Sequence, residues 1–158
     1  MRQYFTIALL LLTTYLFAQS TSWNEYKLKE HWKTNVADEI EGIYEKTIES
    51  EFQDKYKLGL IKSYDGYNLV YFSGAKGENA WRWSVGDIKA YLTPTATPYL
   101  YKAKWYISDK TVSENLYISF EKGIMNIIWT ENRPNELFLK LYPTTNDNVS
   151  QSSNPAKL

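Results

Sequence analysis

The chain has no cysteine and a single histidine among its 158 residues. The absence of cysteine excludes disulfides, a thiolate nucleophile and lipid attachment through an N-terminal cysteine. His31 lies in a charged stretch, so a metal site built from several histidines is excluded, as is any histidine-dependent triad that does not use His31. The sequence therefore predicts a domain that is stabilised by its own core, with no metal and no cofactor.

An excess of charge of one sign is also lacking. The chain carries 18 Lys and Arg against 18 Asp and Glu, a formal net charge of zero, and contains no run of five like charges. Nucleic acids and anionic membrane surfaces are bound through such excesses. Neither is predicted as a partner.

Long hydrophobic runs are scarce, and the one that stands out is at the N-terminus. Arg2 precedes an apolar stretch over residues 7–17, which is interrupted only by two threonines. The stretch is shorter than the roughly 20 residues of a membrane-spanning helix. Small residues in Ala18-Gln19-Ser20 suit a signal peptidase. We expect a signal peptide over residues 1–20, cut after Ser20 or Ala18, and a mature chain that is periplasmic or secreted, without an integral membrane span.

The remaining residues divide into three parts that together fit one domain. Residues 21–38 predict a short helix and a linker, because the stretch lacks Gly and Pro and Ser22 precedes Glu25 at the spacing of an N-terminal cap. Residues 39–143 have strand-like patterns. Residues 144–158 are polar and lack aromatic side chains, which is typical of a disordered tail.

Eight segments of the central part are predicted to be strands. They cover residues 39–48, 56–64, 67–73, 86–93, 99–107, 115–121, 124–129 and 137–142. Asp65-Gly66 predicts a type I′ hairpin, Gly123 a second tight turn, and residues 132–135 a third connection. Connections this short leave no room for crossover helices, so the strands form an antiparallel meander.

An up-and-down meander of eight strands closes into a barrel when its first strand pairs with its last, which removes both exposed edges. We predict this all-β closed barrel, and a β-sandwich is the alternative. Alternation places Lys89 on the wet face of its strand. The side chains predicted to line the interior are Tyr44, Leu60, Tyr71, Ile88, Leu92, Trp105, Phe120 and Leu139. The interior is then either a packed core or a cavity for one flat amphipathic molecule.

Two resemblances accompany this pattern. Residues 41–45, with the sequence EGIYE, resemble the Gly-x-Trp start of the lipocalin and calycin superfamily, with Tyr44 in place of Trp. Residues 39–144, with IEGIYE, YKLGLIK and YKAKWYISDKT, look like a small domain that recurs in exported proteins of Flavobacterium-like Bacteroidetes. These resemblances imply an exported, lipocalin-like β-barrel and supply no catalytic residues.

Aromatic residues are abundant, at 6 Trp, 14 Tyr and 6 Phe. Most fit the half-buried surfaces of strands. The longest connection, over residues 74–85, carries two tryptophans and an arginine, and loops at a barrel mouth commonly bind ligands. The predicted ligand-binding residues are Trp81, Arg82, Trp83, Tyr71, Tyr44 and Trp105. In the alternative interpretation, one or both of the loop tryptophans fold back as a cap on the core, or the segment belongs to the fourth strand.

Catalytic patterns are not found. No spacing singles out a pair of carboxylates, and G-x-S-x-G is absent. The sequence thus predicts an exported, non-enzymatic protein that binds a small amphipathic or aromatic ligand in the barrel mouth. The alternative is a module that binds a protein or a polysaccharide, with a solid core and an aromatic outer face; there the helix at residues 23–37 covers the second apolar face of the third strand.

Overall fold

The computed structural model describes residues 20–47 and 55–144. The predicted signal peptide and tail lie outside the described residues, apart from Ser20 and Thr144. Neither helix in the described part has the length and apolar character that crossing a bilayer requires.

All eight predicted strands are present, with ends that differ from the prediction by a few residues. The helix α1 spans Glu25–Thr34, and a 3-10 helix spans Gly77–Arg82. The strands are β1 (Gly42–Lys46), β2 (Lys57–Lys62), β3 (Tyr67–Ser73), β4 (Ile88–Pro94), β5 (Leu100–Tyr106), β6 (Val112–Ser113), β7 (Leu116–Glu121), β8 (Ile124–Trp129) and β9 (Glu136–Tyr142). Only the two-residue β6 was not predicted.

The strands form a closed antiparallel barrel. Each strand from β1 to β5 pairs with the next, β5 pairs with β7, and β7, β8 and β9 follow in order. β9 then pairs with β1 and completes the ring, while β6 only extends the sheet beside β5. The predicted eight-stranded up-and-down barrel is confirmed, and the β-sandwich is excluded.

The type I′ turn is found at a different hairpin from the predicted one. Lys122 and Gly123 both have left-handed backbone, with φ of 48° and 78°, and join β7 to β8. Asp65 does not have positive φ, so the predicted turn type at Asp65-Gly66 is wrong, although β2 and β3 are neighbours as expected. Glycine is required there because a Cβ on Gly66 would lie 2.0 Å from the Leu92 carbonyl oxygen.

The strand directions give the barrel two distinct ends. At one end, residues 38–41, which we call the strap, lead into β1. We call this the strap end; the strands are joined there by the connections 63–66, 95–99 and 122–123. At the Trp83 end lie residues 74–87, 107–111 and 130–135. The helix α1 runs from the Trp83 end towards the strap end, because Thr21 pairs with Gly86 and the helix is followed by the strap.

Helix α1 starts later than the sequence suggested and covers the outside of the barrel. Asn24, not Ser22, is the N-cap, and its side chain accepts the Lys27 N–H at 2.8 Å. Leu28 and Trp32 are fully buried in a cluster with outward-facing strand residues. Those residues are Ile43, Ile61, Val70, Phe72 and Ile88. Strand β3 has two apolar faces, and the helix covers the one that points away from the barrel interior.

The barrel interior is filled by a second cluster of large side chains. Six of the eight predicted lining residues belong to it: Tyr44, Leu60, Tyr71, Leu92, Trp105 and Phe120. The prediction is wrong for Leu139, which is 48% exposed because its neighbour Phe138 points inwards. It is also wrong for Ile88, which packs beneath α1.

A β-bulge explains the error at Ile88. In the register of β3 and β4, Leu69 lies opposite Ala90 and Val70 opposite Ile88, so Lys89 is the extra residue. The bulge turns Ile88 outwards and brings Lys89 inside, where it is only 1% exposed. The predicted wet face of this strand is thus wrong at Lys89.

Candidate functional site

The two exposed members of the predicted site lie on the 3-10 helix at the Trp83 end. Trp81 is 78% exposed. The Arg82 guanidinium lies 5.1 Å from the centre of the Trp81 ring and donates to the Asp109 carbonyl oxygen at 3.3 Å. These contacts hold the pair on the surface, facing solvent.

Trp83 folds back onto the core, as in the alternative interpretation of this loop. Its Nε1–H donates to the Ser108 carbonyl oxygen at 2.8 Å, and its ring centre lies 5.3 Å from that of Tyr71. The Tyr71 hydroxyl accepts the Ala75 N–H at 3.1 Å and so holds the start of the same loop. Trp83 therefore covers the interior at this end of the barrel.

Lys89 lies beneath Trp83, surrounded by aromatic rings. Its Nζ is 4.0 Å from the ring centre of Trp83, 4.7 Å from that of Tyr56 and 5.1 Å from that of Trp105. Three rings at these distances stabilise an ammonium group through their electron-rich faces. The rings at this end therefore surround a side chain of the protein itself, and no sequence signal marks the bulge that puts Lys89 there.

A buried carboxylate fixes the loop beside Trp83. Asp87, 4% exposed, accepts the Ser84 N–H and the Lys110 ammonium, each at 2.8 Å. The Lys110 ammonium also lies 5.2 Å from the Trp83 ring centre. Five of the six predicted site residues thus gather at the Trp83 end, where Tyr71, Arg82 and Trp83 hold the loops that close it.

The sixth, Tyr44, lies in a pocket at the strap end. This Tyr44 pocket has a volume of about 200 Å³. Its lining residues are Glu39, Ile40, Tyr44, Tyr99, Phe120, Glu121, Lys122, Gly123 and Ile124. Aromatic and aliphatic side chains thus form part of the wall, and carboxylates and an ammonium stand beside them. The sequence missed this pocket because its walls come from three separate segments of the chain.

The Tyr44 hydroxyl is a fixed hydrogen-bond donor. It donates to the Ile40 carbonyl oxygen at 2.7 Å, and its ring meets that of Phe120 edge to face at 5.9 Å. Burial, and then the nearby Glu39 carboxylate, raise the pKa of Tyr44 above its ordinary value. The phenol therefore stays protonated and ties the strap to the barrel wall.

Three carboxylates of the strap are held by separate donors. Glu41, 5% exposed, accepts the Asp38 N–H at 2.8 Å and the Lys62 N–H at 2.7 Å. Asp38 accepts the Tyr67 hydroxyl at 2.8 Å and the Lys62 ammonium at 3.0 Å. Glu39 accepts the Tyr99 hydroxyl at 2.8 Å. The strap is therefore fastened to β2, to β3 and to the 95–99 connection.

The electrostatics around Asp38 favour its ionised form. Burial alone would raise the pKa of Asp38, but the hydrogen bonds from Tyr67 and Lys62 outweigh it and the pKa is lowered. Burial, with the hydrogen bond to Asp38, raises the pKa of Tyr67. Burial lowers the pKa of Lys140, whose Nζ donates to the Glu39 carbonyl oxygen at 2.8 Å. At neutral pH Asp38 is therefore charged and Tyr67 is neutral.

Metal binding has no support from this arrangement. Within residues 20–47 and 55–144, no three histidine, aspartate or glutamate side chains are grouped as ligands for an ion. In the wall of the Tyr44 pocket, Glu39 accepts the Tyr99 hydroxyl and Glu121 pairs with Lys122 at 3.6 Å, beside apolar side chains. Such a pocket is suited to binding a small molecule by its shape and by contact with a few polar groups.

No family model matches the chain, and no curated protein matches it. Among solved structures, protein HP1028 of the human pathogen Helicobacter pylori, described as belonging to the lipocalin family, is similar over 77% of this chain and 94% of its own. The two chains are 12% identical, with a TM-score of 0.49. No function follows from that likeness. The closed barrel rests on the strand pairing of this chain.

Proposed function

We propose that the protein is an exported, non-enzymatic binding protein for a small amphipathic or aromatic molecule, which it takes up in the Tyr44 pocket. The observation that carries the proposal is a pocket of about 200 Å³ at the end of a closed barrel. A cavity of about 150 Å³ holds one benzene molecule. The ligand is therefore the size of a single ring with a short substituent.

The lining of the pocket supports an amphipathic ligand. Phe120 is buried, and Ile124 is 38% exposed, so an apolar ring has surfaces to contact. Glu39 and Glu121 bring carboxylates to the same pocket, next to Lys122. A polar substituent that points outwards then meets charged groups, while the ring replaces water on the apolar wall.

Export and the predicted Trp83-end site are part of the same proposal. The apolar run at residues 7–17 with small residues at positions 18 and 20 supports export. Contact of Trp81, Arg82, Trp83, Tyr71 or Trp105 with a ligand stays a prediction. Trp81 and Arg82 already face solvent, whereas contact by the buried rings around Lys89 requires Trp83 to leave the Ser108 carbonyl oxygen.

The alternative of an interaction module also stays a prediction. The most exposed aromatic side chains among the described residues, Tyr26, Tyr64 and Trp81, lie on α1, in the 63–66 connection and on the 3-10 helix. They belong to separate elements. The exposed apolar residues of β9, Leu137, Leu139 and Leu141, are aliphatic.

The test compares a substitution in the pocket with a matched one beside it. Ile124 and Leu139 lie opposite each other in the register of β8 and β9, and both are partly exposed, but only Ile124 lines the Tyr44 pocket. We expect Ile124→Trp to weaken binding of single-ring probes (phenol, indole, benzylamine and benzoate) at least tenfold, because the larger ring fills the pocket. Leu139→Trp should change binding less than twofold.

Binding to the mature protein is measured by isothermal titration calorimetry and by ligand-observed NMR. Trp81→Ala and Arg82→Ala report on the other end of the barrel. If those variants lose the probes while Ile124→Trp keeps them, the ligand binds at the Trp83 end and the Tyr44 pocket is wrong. The binding function itself is contradicted if none of the four probes binds with a Kd below about 1 mM, which corresponds to about −4 kcal/mol.

A further inference from the structure

A second concave site lies on the outside of the barrel, far from both ends. This outer groove has a volume of about 290 Å³. It is lined by Tyr91, Thr93, Lys102, Ala103, Lys104 and Glu114. The sheet is irregular here, because β5 pairs with β7 up to Lys102 and with β6 from Trp105 onwards. The break between β6 and β7 leaves a hollow above Ala103.

The two lysines of the groove differ from the other basic residues. Across residues 20–47 and 55–144, every other lysine or arginine side chain has a hydrogen bond, an ion pair or a ring contact, whereas Lys102 and Lys104 have none. Glu114 lies in the same groove and forms an ion pair with neither of them. Both ammonium groups are therefore available to a ligand from outside the chain.

Each of these lysines has a tyrosine opposite it on the neighbouring strand. Lys102 lies opposite Tyr117 of β7, and Lys104 lies opposite Tyr91 of β4. Tyr91 is positioned by the edge of Tyr106, with ring centres 6.3 Å apart. Alternate residues of a strand point the same way at a spacing of about 7 Å. The outer face therefore carries two pairs of side chains in succession, each made of a tyrosine ring and a lysine.

We propose that the outer groove binds an acidic polysaccharide, with the carboxylates of neighbouring sugar units on Lys102 and Lys104 and a sugar ring against Tyr91. Tyrosine combines a flat apolar body with a polar tip, which suits a sugar ring that has an apolar face and a rim of hydroxyls. The two ammonium groups of Lys102 and Lys104 complement a polyanion whose carboxylates are regularly spaced.

An acidic peptide fits the groove less well. Extended peptides bind sheets by adding a strand to an open edge, and β5 already has β4 on one side and β6 and β7 on the other. A peptide would be left with side-chain contacts alone. The proposal is independent of the Tyr44 pocket, since the two sites share no residue.

The experiment titrates the mature protein with a short oligogalacturonate. A neutral cello-oligosaccharide of the same length and a poly-glutamate of the same charge serve as comparison ligands. We expect the oligogalacturonate to bind, with an affinity that falls as salt is raised because exposed charges are screened. The neutral oligosaccharide should bind at least tenfold more weakly. Equal binding of poly-glutamate overturns the choice of a polysaccharide, and no binding of the oligogalacturonate at millimolar concentration overturns the site.

Variants separate the groove from general charge. The double variant Lys102→Gln, Lys104→Gln should lose at least tenfold in affinity, and Lys102→Arg, Lys104→Arg should retain it. The matched control is Lys27→Gln, Lys33→Gln on α1, which removes the same charge elsewhere. If this control loses as much as the groove variant, binding is non-specific and the proposal fails. The thermal stability of each variant is measured as well, and we expect it to be unchanged because the substituted lysines are exposed.

Discussion

Trp81 and Trp83 are two residues apart in one connection, yet their surroundings are opposite. Trp81 is 78% exposed and is contacted by Arg82, whereas Trp83 is 6% exposed and is bound to the Ser108 carbonyl oxygen. The polypeptide between them passes from the 3-10 helix to extended backbone at Trp83. Their contributions to stability should therefore differ strongly.

Substitution of each tryptophan by alanine tests this difference. We expect Trp83→Ala to lower the free energy of unfolding by about 3–5 kcal/mol, because it removes a buried ring and uncovers Lys89. Trp81→Ala should change it by less than about 0.5 kcal/mol. Urea unfolding of both variants, followed by circular dichroism, measures the difference. Equal values would contradict the closure of the barrel by Trp83.

Several inward-facing residues were predictable from the alternation of regular strands, although Leu139 was not. Leu60, Tyr71 and Phe120 were identified from alternation alone, because side chains on a strand change face at every residue. The same rule failed at Ile88 and Lys89. A bulge adds one residue to one strand and leaves no mark in the alternation pattern. The ring-lined environment of Lys89 could not be found without the register of β3 and β4.

At the scale of elements, the strap shows how a short irregular segment builds a pocket wall. Residues 38–41 form neither helix nor strand. Side-chain hydrogen bonds replace regular backbone pairing along the strap, from Tyr67 and Lys62 to Asp38 and from Tyr99 to Glu39. Because the hydrogen bonds from Tyr67 and Lys62 favour the ionised form of Asp38, protonation of Asp38 should weaken the attachment of the strap.

The pH dependence of stability tests the role of Asp38. Its pKa is lowered in the folded protein, so its contribution is fully present above the unfolded carboxyl value of about 4 and is lost as the pH falls through the lowered folded value. Asp38→Asn should remove this loss and lower stability at pH 7, by less than about 1 kcal/mol because the pair is partly exposed. The free energy of unfolding is measured by chemical denaturation at pH values from about 2.5 to about 7, a range chosen to include the titration of Asp38.

Asp65→Asn is the matched control, since Asp65 is exposed in the 63–66 connection. It replaces a carboxylate with an amide, as Asp38→Asn does, at a residue that makes no hydrogen bond to the strap. Its pH profile should follow that of the unmodified protein. A profile of Asp38→Asn that also follows it would show that the Asp38 carboxylate does not hold the strap, which would leave Glu39 and Glu41 as its side-chain attachments.

At the scale of the whole molecule, the fold was more predictable than the site. Turn residues such as Gly123 and the short connections limit the strands to neighbours in sequence, which leaves a meander and its closure as the favoured topology. The Tyr44 pocket depends on how residues 39–44, Tyr99 and the 120–124 hairpin meet at one end of that barrel. No local pattern encodes such a meeting. Tyr99 and the 120–124 hairpin become neighbours when β5 pairs with β7, and residues 39–44 join them only when β9 pairs with β1.

Closure of the barrel should also control whether the chain folds at all. β9 lies between β8 and β1 and contributes Phe138, which is fully buried. A chain that ends after Arg133 lacks this strand, so β1 and β8 both present open edges and the core loses a large ring. We expect it to aggregate or to unfold without a cooperative transition. A chain that ends after Thr144 retains every strand and should be monomeric on size exclusion, with an unfolding midpoint in urea equal to that of the mature protein. A cooperative transition in the shorter chain would show that the remaining seven strands of the barrel form a stable sheet, and that pairing of the first strand with the last is not required for folding.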